Sequence, residues 1–232
     1  MKSSIRTILV LALLCAALST ATFASSMYVV QGIAGRDYKT ETDPAFPVDV
    51  LLNDEVCYVH GLAFGTVDGP LTFNAGSYNI KISIADSLAP CSNTPLIDTT
   101  VTIPAEKDIL AVTTLDASGN PKLETFTNDF TPVAANMGRV FFTNPANSPA
   151  VQVILQNTTT QKLYTYAVKA GGLLDVNLPA GKYTVEVNEG TSTLVPSTNL
   201  ALYSQSETLL FAIGQASNNS VVLATRTIRD VI

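Results

Sequence analysis

Few of the side chains in this sequence that could do chemistry stand near one another. His60 is the only histidine. As a general base or metal ligand it would need partners, and only Cys57 lies close by in sequence. A histidine so placed reads as a polar surface residue. Asp49 sits inside an apolar run, Pro47-Val48-Asp49-Val50-Leu51-Leu52. A carboxylate there could contact a cation or ligand at a sheet surface. Strand alternation offers a simpler account: an acid facing outward, or one accepting backbone hydrogen bonds from a loop. Tyr164 and Tyr166 share one strand face and could stack on a sugar, although cross-strand packing is the more common explanation for such a pair. No Gly-x-Ser-x-Gly elbow, no Gly-rich phosphate loop and no Asp-x-Asp-x-Asp-Gly calcium loop occurs. These residues point away from an enzyme; no catalytic residue, metal or cofactor is expected.

The elements that would position them are strands. One stretch occurs twice: Leu71-Thr72-Phe73-Asn74-Ala75-Gly76-Ser77-Tyr78-Asn79-Ile80-Lys81-Ile82, and Asp175-Val176-Asn177-Leu178-Pro179-Ala180-Gly181-Lys182-Tyr183-Thr184-Val185-Glu186-Val187. Tyr78, Ile80 and Ile82 alternate with polar neighbours, as do Tyr183, Val185 and Val187, which is the period of a half-buried strand. Each copy is expected to be a hairpin, with Gly76 and Gly181 as turn glycines supplying a positive φ. Short strands with turns about every ten residues continue along both halves, and no window keeps a helical period. Ile109 to Leu115 and Thr208 to Gly214 read as buried central strands. Residues 127–137, with Pro132 and small residues, read as a linker.

The chain opens Met1-Lys2-Ser3-Ser4-Ile5-Arg6, then an apolar run to Leu18, then Ser19-Thr20-Ala21-Thr22-Phe23-Ala24. This is the pattern of a signal peptide cleaved after Ala24, with a run too short to be a comfortable membrane span. Removing it takes Lys2 and Arg6 and no acid, so the net charge moves from −6 to −8. An acidic chain without basic clusters argues against nucleic acid. No later segment is long enough to be a transmembrane helix. Cys57 and Cys91 are then the cysteines left, and an exported chain with an even count suggests a disulfide between them.

The order Val-Gln-Gly-Ile-Ala-Gly (30–35), Pro-Val-Asp-Val (47–50), Ala-Phe-Gly-Thr-Val (63–67), Ala-Gly-Ser-Tyr (75–78) and Ile-Leu-Ala-Val (109–112) resembles a secreted bacterial β-sandwich family known only as a domain of unknown function, often in tandem on envelope proteins. The second half departs from the pattern: Gln152 stands where the first has Asp49, and the cysteines are missing. The resemblance implies an all-β chain of two tandem immunoglobulin-like or transthyretin-like sandwiches and an extracytoplasmic place, and it transfers no catalytic residue. The expected organisation is a signal peptide at 1–24, a first domain at 25–126, the linker, and a second domain at 138–232. The expected role is a non-catalytic structural or adhesive module of the cell envelope: periplasmic, surface-bound or secreted. The alternative is a glycan- or peptide-binding module using loops 32–46 and 87–94. Its partners would be an envelope protein or glycan.

Overall fold

The computed structural model describes residues 25–38, 43–128, 131–145 and 148–228. The signal-peptide expectation lies outside them. The described chain is all β. Eight strands form the first half: β1 (Ser25–Val30), β2 (Val48–Leu52), β3 (Val56–Leu62), β4 (Val67–Phe73), β5 (Gly76–Ile84), β6 (Ile97–Ile103), β7 (Asp108–Leu115) and β8 (Pro121–Asn128). Eight more form the second: β9 (Met137–Asn144), β10 (Val151–Asn157), β11 (Leu163–Val168), β12 (Gly172–Pro179), β13 (Gly181–Glu189), β14 (Ser192–Leu202), β15 (Ser206–Ile213) and β16 (Val222–Ile228).

The strand orders are β4-β1-β7-β8 and β3-β2-β5-β6 in the first half, and β12-β9-β15-β16 and β11-β10-β13-β14 in the second. Adding eight to each label of one half gives the other, so the duplication read from the sequence holds strand for strand. β1 pairs with β7, and β9 with β15, in parallel; the other pairs are antiparallel.

Each half closes its own core between its two sheets. Val50, Ile80, Ile82 and Ile109 belong to the first core, and Val153, Val185, Phe142 and Leu210 to the second. A third core joins the halves. Tyr28, Val30, Leu110, Val112 and Phe126 from the first half meet Phe141, Leu209, Phe211, Ile213 and Ala224 from the second. The four sheets therefore stack in layers, and the two inner sheets are buried on both faces. Strands buried on both faces need apolar residues without alternation. That is the reason for the unbroken runs Ile109-Leu110-Ala111-Val112 and Leu209-Leu210-Phe211-Ala212-Ile213. Met27 and Val29 enter the first core while Tyr28 and Val30 enter the junction.

The repeated Ala-Gly stretch differs from expectation. β4 pairs with β1 while β5 pairs with β2 and β6, and β12 pairs with β9 while β13 pairs with β10 and β14. Each stretch is thus a corner at which the chain crosses from one sheet to the other, and not a hairpin. Alternation is the same in both arrangements, which is why the pattern could not separate them. Gly76 and Gly181 are also absent from the glycines with positive φ, so neither serves as a left-handed turn residue. What shapes the corner is the tyrosine two residues on. The Tyr78 hydroxyl donates to the Asn74 carbonyl at 2.9 Å, and that of Tyr183 to the Pro179 carbonyl at 2.8 Å. Each ring lies beside its glycine, with a Cε2 3.7 or 3.8 Å from where a Cβ would stand. The true hairpin turn nearby is between β2 and β3. There Asn53 and Asp54 take φ of 49° and 59°, the two positive values a tight primed turn requires.

Candidate functional site

β2, β3 and the loop after β5 converge at one end of the first half, and Asp49 is their centre. It is 1 % exposed, so it does not face solvent as strand alternation suggested. Its Oδ1 accepts the Gly61 N–H at 2.9 Å; its Oδ2 accepts those of Cys91 at 2.9 Å and Asp86 at 3.2 Å. Gly61 is held at φ 62° in a bulge, where Val48 faces Leu62 but Val50 faces Val59. The extra residue turns the Gly61 N–H toward the carboxylate. A buried carboxylate with three backbone donors is satisfied as a charge. Asp49 is a fastener of loop 86–91.

The disulfide lies beside it. Cys57 and Cys91 are bonded, with Cα atoms 5.9 Å apart. His60 is exposed, with Nδ1 3.2 Å from Cys57 Sγ. Cys57, His60 and Cys91 form the one trio of potential metal-ligating side chains among the described residues. With both sulfurs in the disulfide, His60 alone retains a ligating atom. Bond and carboxylate together pin a loop whose tip carries Leu88, 94 % exposed.

The described part of loop 32–46, the alternative binding loop, is largely packed into the protein. Ile33, Tyr38 and Phe46 are in the first core. Gln31 is buried and donates from Nε2 to the Phe46 carbonyl at 2.7 Å, while its Oε1 meets the Thr113 hydroxyl. Arg36 donates to the Asn219 carbonyl at 2.7 Å, and Asp37 accepts from Asn218 Nδ2 at 2.8 Å and from Ser220. Arg36 and Asp37 are thus contacts to the second half.

Tyr164 and Tyr166 line the open side of the second sandwich at edge strand β11 and pack against its core. Tyr164 lies 6.3 Å from the Tyr183 ring, and Lys162 Nζ stands 4.8 Å over its face. Packing accounts for the pair. Burial pushes the Tyr166 hydroxyl above its usual range, so it stays protonated.

Two grooves lie on the second half. One of about 760 Å³ is lined by Val151, Gln152, Val168, Lys169 and Gly172; another of about 560 Å³ by Asn144, Glu189, Thr193, Gln215 and Asn219. The first is mostly aliphatic and backbone surface.

A buried polar cluster at the junction had no motif to announce it. Glu207 and Asn128 are fully buried, and Asn128 Nδ2 donates to Glu207 Oε1 at 3.0 Å across the halves. Burial outweighs that bond and the nearby Arg139, and pushes the Glu207 carboxyl up to about 7. Tyr28 in the same core is pushed up to about 12, chiefly by burial. The available signal was the position of Glu207 at the head of an apolar run, where Asp108 heads the equivalent one.

Residues 42–154 match the family described as "Domain of unknown function (DUF4397)". The match runs from just before β2 into β10 and so crosses the junction. It agrees with the resemblance carried by Pro47 to Val50, Ala63 to Val67 and Ala75 to Tyr78. No curated protein matches the chain. Among solved structures, a leucine-rich repeat protein from Bacteroides thetaiotaomicron is 16 % identical with a TM-score of 0.24, covering 83 % of this chain and 26 % of its own. The Bacillus anthracis TIE protein is 13 % identical with a TM-score of 0.27, covering 83 % of this chain and 34 % of its own. This chain thus spans about a quarter and a third of those lengths, and scores so low carry no argument about role.

Proposed function

We propose that the chain is a non-catalytic structural or adhesive module of the bacterial cell envelope, exported by its leader. The observation that carries this reading is the third core. A continuous apolar junction makes two sandwiches one stiff unit, as a spacer or presentation scaffold requires. The disulfide and the Asp49 fastener hold the exposed end of the first half against shear. Expression of the full sequence in a bacterium, followed by fractionation and mass measurement, tests the reading. The expected product begins at Ser25, lies outside the cytoplasm and is two daltons lighter than its reduced form. A thiol-bearing cytoplasmic chain with its leader intact would overturn it, as would turnover on a hydrolase panel lost in His60→Ala.

One observation favours a binding role for the same end. Leu88 is held out on a clamped loop, an unusual place for a large apolar side chain, and rigid loops commonly present contact residues. A glycan and envelope-protein array separates the two readings. Binding lost in Leu88→Ser but kept in controls would move loop 87–94 from scaffold to recognition.

A further inference from the structure

The two halves meet at a buried hydrogen bond that is only half complete. Asn128 ends β8 and Glu207 begins β15, and both side chains are fully buried. Asn128 Nδ2 donates to Glu207 Oε1 at 3.0 Å. The remaining polar atom on each group, Asn128 Oδ1 and Glu207 Oε2, has no partner. Both are acceptors if the carboxyl is ionised, so neither can satisfy the other. An amide and a neutral carboxylic acid are complementary: N–H to C=O on one side, O–H to C=O on the other. A single proton on Oε2 would supply the missing donor for Oδ1 and pair both orphan atoms.

The surroundings favour the proton. Glu207 faces Arg139 across the β9–β15 register, and that guanidinium, which also serves other groups, favours the charged form by less than burial opposes it. Arg139 Nε stands 3.3 Å from Asp175 and from Asn177 Oδ1, and its Nη2 donates to Thr131 at 2.7 Å. Asp175 on β12 and Asp108 on β7 add negative charge near Glu207. Asp108 is itself pushed up by burial while accepting the Ser26 N–H at 2.7 Å. Tyr28 on β1 stays neutral. Arg226 on β16 donates from Nη2 to the Gly69 carbonyl at 2.7 Å. A carboxylate at Glu207 would be a buried charge with one hydrogen bond; Arg139 favours it, two acids oppose it, and burial outweighs them all.

We propose that Glu207 is a carboxylic acid in the folded protein, paired through both its oxygens with the Asn128 amide, and that this pair is a proton-operated latch between the halves. The sign follows from the raised carboxyl. Between its ordinary value near 4.5 and its folded value of about 7, the folded state holds a proton that the unfolded state has released. The stabilisation is fully present below the lower value, declines as pH rises, and is gone above the upper one. The junction is tight in acid medium, loosens as the medium approaches neutrality, and is loosest above about pH 7.

Carbon-13 titration of the purified protein reads the group directly. The Glu207 side-chain carboxyl is expected to titrate with a midpoint near 7; a midpoint near 4.5 overturns the proposal. Glu207→Gln reads the latch. A glutamine amide presents to Asn128 the same donor and acceptor as the protonated acid, without ionising. The ratio of wild-type to variant unfolding constants should rise about tenfold per pH unit between roughly pH 5 and 7 and then level off. The variant is expected to equal or exceed the wild type at pH 8. A ratio independent of pH, or a variant less stable than the wild type at pH 8, overturns the latch.

Discussion

The two halves share every strand pairing and differ at their rims. At the end of β2 and β5 the first half buries Asp49 under three backbone donors and adds a disulfide. At the matching place the second half has Gln152, exposed on β10. The equivalent faces that enter the cores and the junction are apolar in both halves. Topology therefore rests on what faces inward, while each rim is secured by local means that a copy can lose. The sharpest way to break this comparison is at Asp49. Asp49→Ala leaves three N–H groups of a closed loop unpaired, and should cost about 3 kcal/mol or more. Gln152→Ala should stay within about 0.5 kcal/mol. Denaturant unfolding of both variants measures the difference, and equal losses would mean the rims are energetically alike after all.

The disulfide is the second asymmetry. It closes a sequence separation of 34 residues, and replacing both cysteines with serine should cost about 3 kcal/mol on the chain-entropy account. Because Asp49 holds the same loop, the two losses should not add. In the absence of the disulfide the Cys91 N–H can leave Asp49, so Asp49→Ala should cost less in the serine background. A double-mutant cycle with coupling below about 0.5 kcal/mol would show that carboxylate and disulfide act separately.

Much of this was legible from the residues. Period-two alternation gave the strands, and the unbroken runs at Ile109 and Leu209 marked strands covered on both faces. Parity and an export pattern gave Cys57–Cys91. Alternation cannot say which strand pairs with which, so the Ala-Gly corners read as hairpins. Nor can it say that an acid such as Asp49 faces inward, because a polar residue at an outward phase looks the same whether a loop covers it or not. The Asn128–Glu207 contact joins residues 79 apart, and no local pattern carries it. The junction itself hid in plain view: Tyr28, Leu110, Phe141 and Leu209 were apolar at positions where a two-layer sandwich would place polar residues.

The tyrosine corners are where the halves should behave alike, with a difference set by burial. Tyr78→Phe and Tyr183→Phe each delete one hydroxyl that holds a carbonyl four residues back. Each should cost about 1 kcal/mol. Tyr183 is 1 % exposed and Tyr78 half-buried, so the second-half variant should lose more. The order of the two unfolding midpoints checks this, and a larger loss at Tyr78 would mean the first corner depends on its tyrosine despite the disulfide.

The smallest effect belongs to the glycines beside those rings. A Cβ on Gly76 would meet only Tyr78 Cε2, at 3.7 Å, an ordinary contact. A Cβ on Gly181 would meet Asn157 Nδ2 at 3.3 Å, and Asn157 also accepts the Thr159 and Thr160 N–H groups. With no positive φ to strain, alanine restricts the unfolded chain more than it disturbs the folded one. Gly76→Ala should therefore be neutral to stabilising by about 0.5 kcal/mol. Gly181→Ala should forfeit that gain, because Asn157 must shift and its turn with it. A loss of about 1 kcal/mol or more at Gly76 would show that the first corner needs the glycine for a conformation other than the extended one, and would restore the turn role to that position alone.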